Sequence, residues 1–152
     1  MGTRNKETSS AMGYIQFNDL ESYLFSTVRK RFETQKYLSA FDFFCIIIWK
    51  ANRAKSRIAT KILSPDKPAN GSLGDRIQSL TKKLFEIPIS KDKMRYLIER
   101  WGFHLPMASA ILTVLYPQEF TMYDIRVCNQ LRKMTGETRH SKVGGLSNFE
   151  AI

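Results

Sequence analysis

Asp124 stands directly ahead of "IRVCNQLRKM", in which Ile125, Cys128 and Leu131 recur at the spacing of one helical face. A carboxylate at that point has two uses. It can cap the helix by accepting from the first free backbone N–H groups, or it can serve a reaction as an anion or general base, made rigid by that same capping role. Tyr123 beside it is a candidate pocket wall. Upstream, "ERWGFHLPMASAIL" joins two helical stretches through a tight turn holding Gly102, His104 and Pro106. Such a hairpin can aim backbone N–H groups at a phosphate. A third group surrounds Asn52, where Lys50, Arg53, Lys55 and Arg57 form a basic run; the run is either a solvated face or a set of phosphate contacts.

The elements that must carry these residues are helical. "NDLE" at Asn18 to Glu21 reads as a capping-box variant, and Phe17, Leu20, Leu24 and Val28 mark the face of a helix ending near "RFETQK". "SAFD" at Ser39 to Asp42 is a second box. It opens "AFDFFCIIIWKANRAKSRIATKIL", apolar nearly all round in its first half and basic in its second, so the helix is expected to start buried and leave the core where it turns basic. "SPDKPANGSLG" is a loop by turn chemistry, after which Ser72 and Asp75 repeat the box. Pro88 stops that helix. Ser90 is the expected cap of the next one, and Gly102 takes the glycine position that ends it. Pro106 falls in the first turn of the helix marked by Met107, Ala110, Ile111, Val114 and Leu115. No strand or repeat pattern emerges, so the expected class is all-α, a compact multi-helix domain of about six helices. Residues 1–13 read as a disordered segment, 14–136 as the helical domain with its hairpin near 101–106, and 137–152 as a flexible tail or the start of a final helix.

Composition limits the function classes. The 152 residues suit a single core. With 24 Lys and Arg against 14 Asp and Glu, the net charge of +10 favours a polyanionic partner, DNA or RNA, or an acidic protein. Cys45 and Cys128 lie in apolar-periodic stretches and read as reduced, structural thiols. His104 and His140 are too few to build a zinc site, and no cysteine spacing suits an iron–sulfur cluster, so neither metal nor cofactor is expected. "MGTRNKETSS" lacks the apolar region of a secretory signal; its Met-Gly start is only a weak myristoylation pattern. "FFCIIIW" is far shorter than the roughly 20 residues of a membrane span. A cytoplasmic location without membrane attachment is the expectation.

The hairpin and the segment after it resemble the helix-hairpin-helix base-excision DNA glycosylases, the superfamily with endonuclease III-like members. Their hairpin reads leucine, proline, glycine, any, glycine, any, lysine, followed by a helix rich in small residues and then a catalytic aspartate. Here Gly102 matches the first hairpin glycine, His104 falls on the second and Pro106 on the lysine, eighteen positions before Asp124. "DIRVCNQL" is similar to the family's segment around its aspartate, and "AFDFFCIIIWKANRAK" to its early helix and the turn after it. The resemblance runs from about Ser39 to Met134.

It implies the family's all-helical fold, DNA as partner, Asp124 as catalytic carboxylate, Asn52 as the side chain that enters the gap left by a displaced base, and Gly102 and His104 in a phosphate-binding hairpin. Pro106 offers no amine, so the Schiff-base lyase reaction is not expected, whereas monofunctional hydrolysis of a glycosidic bond needs only the carboxylate. A histidine at 104 in place of glycine is expected to compromise the hairpin's anion nest, because its Cβ restricts positive φ and close phosphate approach, so that DNA affinity is reduced or rerouted through side chains. The competing readings are a non-catalytic nucleic-acid-binding module on the same fold and a helical protein-interaction domain.

Overall fold

The computed structural model describes residues 19–135, and within them every regular element is helical. The first helix, α1, spans residues 19–35, with wider π-helical turns over Tyr23–Val28. Leu24, Val28 and Phe32 form its buried stripe, as their spacing of four dictates. It ends where Lys36 turns left-handed at φ 68°. That conformation costs a non-glycine residue about 1–2 kcal/mol. Two contacts offset it: Lys36 N–H bonds Phe32 O at 2.9 Å, and its ammonium lies 4.3 Å from the Phe85 ring centroid. Asn18 and Phe17, the outer terminal segment and the tail lie outside the described residues.

Helix α2, Ala40–Ala51, is capped by the Ser39 hydroxyl, which accepts from Asp42 N–H at 3.1 Å. The expected box is only half made. The Asp42 carboxylate turns away and accepts instead from the Tyr23 hydroxyl at 2.7 Å and from Arg31 at 3.2 Å, tying α2 to α1. The long helix expected from Ala40 to Leu63 is in fact two. Ala51 leaves helical geometry at φ −160°, Asn52–Ala54 make a 3-10 turn, and α3 resumes over Lys55–Leu63. Nor does the basic half leave the core: Ala54, Ile58 and Ile62, four residues apart, are buried while the charges occupy the other face.

Helix α4, Leu73–Glu86, has the complete box, with Ser72 Oγ accepting from Asp75 N–H and Asp75 Oδ2 accepting from Ser72 N–H at 2.8 Å. Arg76 in its first turn donates to Ile62 O and Ser64 O, closing the free carbonyl end of α3 and fixing the start of the loop between them. Helix α5 covers Ser90–Arg95 and continues in π-helical form through Tyr96–Arg100. Ser90 is not its cap. The cap position belongs to Ile89, and the Ser90 hydroxyl bonds Glu119 at 2.6 Å.

Helix α6, Leu105–Leu115, passes through the centre, packing on α1, α2 and α5. Eight of its residues are buried, from Met107 to Leu115. Each fully buried Leu, Ile or Val there adds about 1.5–3 kcal/mol of transfer free energy. Trp101 and Phe103, both buried, lead into it, while Trp49 is half-buried edge-on to Phe25. The last element, α7, spans Ile125–Thr135 and buries no residue. Among the described residues no helix is long and apolar enough to cross a membrane.

Candidate nucleic-acid interface

The turn between α5 and α6 is built by local rules. Gly102 adopts φ +72°, its N–H bonds Ile98 O at 3.0 Å, and the next N–H, of Phe103, bonds Leu97 O at 3.1 Å. This is a Schellman-type closure, one residue wider than usual because the turn it ends is π-helical. His104 departs from the sequence expectation. Its φ is −75°, a value any residue adopts, so the imidazole there imposes no backbone strain. His104 O accepts from Met107 N and Ala108 N, and Pro106 sits in the first turn of α6, where its missing N–H is harmless.

From α6 the hairpin reaches the aspartate through one side chain. Ser109, buried, donates to Pro106 O at 3.0 Å and accepts from Tyr123 N–H at 2.9 Å. The bond pins the residue next to Asp124 onto the rigid central helix. Asp124 then behaves as an N-cap: its Oδ1 accepts from Arg126 N–H at 2.8 Å and its carbonyl from Cys128 N–H at 3.0 Å. The carboxylate is half-exposed, and the cap bond engages one oxygen of the two.

Beside it lies a cavity of about 560 Å³ lined by Met94, Leu105, Ser109, Glu119, Phe120 and Tyr123, among others. Its walls are mainly apolar, with a few polar groups able to orient a ligand. The Tyr123 hydroxyl is buried next to the Cys128 thiol; burial first, then that thiol, raises its pKa. Asp124 stands next to the wall of this cavity, whereas Glu119 is the carboxylate in its lining. It accepts from Ser90 and pairs at 3.5 Å with Lys93, a buried ammonium that also lies 4.0 Å from the Tyr116 ring centroid. Burial and Glu119 push the Tyr116 phenol up to about 12. Sequence reasoning missed Glu119, Ser109 and Lys93: Ser109 lies within the hairpin segment but nothing there marks Tyr123 as its partner, and Glu119 and Lys93 belong to no motif and meet only through the fold.

The basic residues singled out from the sequence form a separate group. Asn52 is exposed on the 3-10 turn and its Oδ1 accepts from Lys55 Nζ at 3.1 Å; Arg53 is exposed and Lys50 half-buried. This turn interrupts two packed helices and presents an amide flanked by cations. Gly102 keeps different company. Lys61 Nζ donates to Gly102 O at 2.6 Å, and a Cβ placed on Gly102 would stand 3.7 Å from Lys67 Nζ. Neither lysine was a sequence candidate, since each lies far along the chain from the hairpin. Among the described residues no group of three or more His, Cys, Asp or Glu side chains is placed to hold a metal ion. No family model, curated protein or solved structure matches the chain.

Proposed function

We propose that this is a DNA-binding protein of the helix-hairpin-helix glycosylase type, which takes an extruded base into the cavity beside Tyr123 and hydrolyses its N-glycosidic bond with Asp124. The observation that carries the reading is the linkage of hairpin to carboxylate: Ser109 on the hairpin's second helix holds Tyr123, which lines the cavity, and Asp124 is the next residue. A flipped base requires an apolar recess with a few polar handles, and the Glu119 and Thr121 side chains at its wall supply them. The +10 net charge adds general attraction for the backbone.

In the reaction the bond between the sugar C1′ and the base nitrogen breaks, and the base leaves with the electron pair. Positive charge develops on the sugar, where a fixed carboxylate stabilises it and accepts a proton from the attacking water. No lysine is required, in keeping with Pro106 at the hairpin position where lyases carry one. A cytoplasmic location is part of the same proposal.

A second reading rests on a specific observation. Asp124 is committed to capping α7 and does not itself line the cavity, which suits a binding module that recognises an extruded nucleotide without cleaving it. Single-turnover base release from a panel of damaged and mismatched duplexes separates the two. The enzyme reading expects release by the wild type and a loss of roughly 100- to 10,000-fold in Asp124→Asn. Absence of release from every substrate, with duplex binding retained by both proteins, would overturn it in favour of the module.

A further inference from the structure

Two of the hairpin's amides are already engaged. Gly102 N–H and Phe103 N–H, the two groups at its tip, are bonded to Ile98 O and Leu97 O. Beside Gly102 the chain gathers side-chain donors from another helix. Arg57 and Lys61 on α3 and Lys67 on the loop after it line a concavity of about 540 Å³, with Thr60, Ser64 and Asp66 completing the wall. The ammonium groups of Lys61 and Lys67 converge on the hairpin glycine: a Cβ on Gly102 would stand 4.0 Å from the first and 3.7 Å from the second.

We propose that Arg57, Lys61 and Lys67 form a side-chain phosphate site against the Gly102 hairpin, occupied by one phosphodiester group of the nucleic-acid backbone. The source of that phosphate rests on the nucleic-acid reading above; the site itself rests on geometry. Three cations share the concavity with one carboxylate, Asp66, which is exposed and already bound by Ser64 and Lys67. Crowded like charges repel, and an anion relieves that repulsion. The state of Lys61 agrees: partial burial first, then Lys67 and Arg57, lower its pKa from the ordinary lysine value. One of its three protons is engaged by Gly102 O, so the same ammonium that braces the turn retains donors for a ligand. Only 12% of the Lys67 side chain is exposed, which leaves its amine held rather than freely waving. Arg57 is exposed in the lining of the same concavity, and its planar guanidinium can fork onto a phosphate.

The test is duplex affinity of the full chain as a function of salt, for the wild type, Arg57→Gln/Lys67→Gln and Lys67→Arg, together with a titration of inorganic phosphate followed at the lysine side-chain NMR signals. Lys61 is left intact because its bond to Gly102 has a structural role, and the melting temperature of each variant controls for folding. The expected result is that the double variant lowers the slope of log affinity against log salt by about 0.9, the release expected for one lost phosphate contact. The weakening should be uniform across duplex sequences, and Lys67→Arg should restore most of the slope. Equal slopes and affinities for wild type and double variant would overturn the phosphate site while leaving duplex binding in place. Phosphate-induced shifts at Lys61 and Lys67 without any duplex binding would keep the site and overturn the nucleic-acid source. Neither response would overturn both.

Discussion

Helices α6 and α7 follow one another along the chain, flank Asp124, and are held by opposite means. The first buries eight residues among three neighbouring helices; the second buries none, and its Ile125, Val127, Leu131 and Met134 remain exposed. Its position therefore depends on its start: the Asp124 cap and the Ser109 bond to Tyr123. A packed helix can tolerate the loss of a cap because contacts along its length hold it. An unpacked helix has little besides its terminus, since a helix of this length is marginal in water by propensity alone. The contrast puts a stiff support and a locally governed element on either side of the candidate carboxylate.

The strongest way to break this contrast is to truncate one side chain in each helix. Leu112→Ala, which empties a fully buried position of α6, should cost about 2–5 kcal/mol. Leu131→Ala, at 55% exposure in α7, should stay within about 0.5 kcal/mol. Denaturant melts of both variants give the comparison directly, and equal losses would mean that α7 is packed after all. Next in size, Ser109→Ala should destabilise by about 1–3 kcal/mol through the orphaned Tyr123 N–H. Amide exchange should accelerate at Tyr123 while Ile111 stays protected; uniform acceleration would make Ser109 merely a core residue.

Asp124 sharpens the comparison further because capping and chemistry respond to different substitutions. Asp124→Ala should cost about 0.5–2 kcal/mol and loosen α7, whereas Asn is as good a cap as Asp and should keep the helix. Helical chemical shifts over residues 125–135 read the first effect, and base release reads the second. The smallest effect lies beside Gly102, at the carboxylate bound by Lys67. The Ser64 hydroxyl, then Lys67, hold the Asp66 carboxyl down from 3.8 to about 2. Because the folded pKa is depressed, any stabilisation is complete above the ordinary carboxylate range and is lost as pH falls through about 2. Carboxyl NMR titration should show the larger upward shift in Ser64→Ala and a smaller one in Lys67→Gln; the reverse order would make the ammonium the dominant partner.

Much of the fold was legible because helix ends carry local signals. Ser72 with Asp75, Gly102 at positive φ, Pro106 in a first turn and Asp124 as a cap each follow from what one residue can do within a few positions of its own backbone. Where the signals were equivocal, tertiary contacts won. The Asp42 carboxylate abandoned its box for Tyr23 and Arg31, and Ser90 gave up capping for Glu119. The break at Ala51 has neither proline nor glycine to announce it. Basic α3 stayed on the core because Ala54, Ile58 and Ile62 supply an apolar stripe that its net charge obscures.

Sequence alone determined the helical class, the hairpin and the place of the carboxylate, all of which depend on short-range geometry: capping bonds, φ preferences and a 3.6-residue period. Only the tertiary structure decided which charges meet. Lys61 and Lys67 reach Gly102, Ser109 reaches Tyr123, and Lys93 reaches Glu119 across chain separations that no local pattern encodes. Such pairs are set by how apolar faces pack, and the polar groups they bring together are a consequence of that packing.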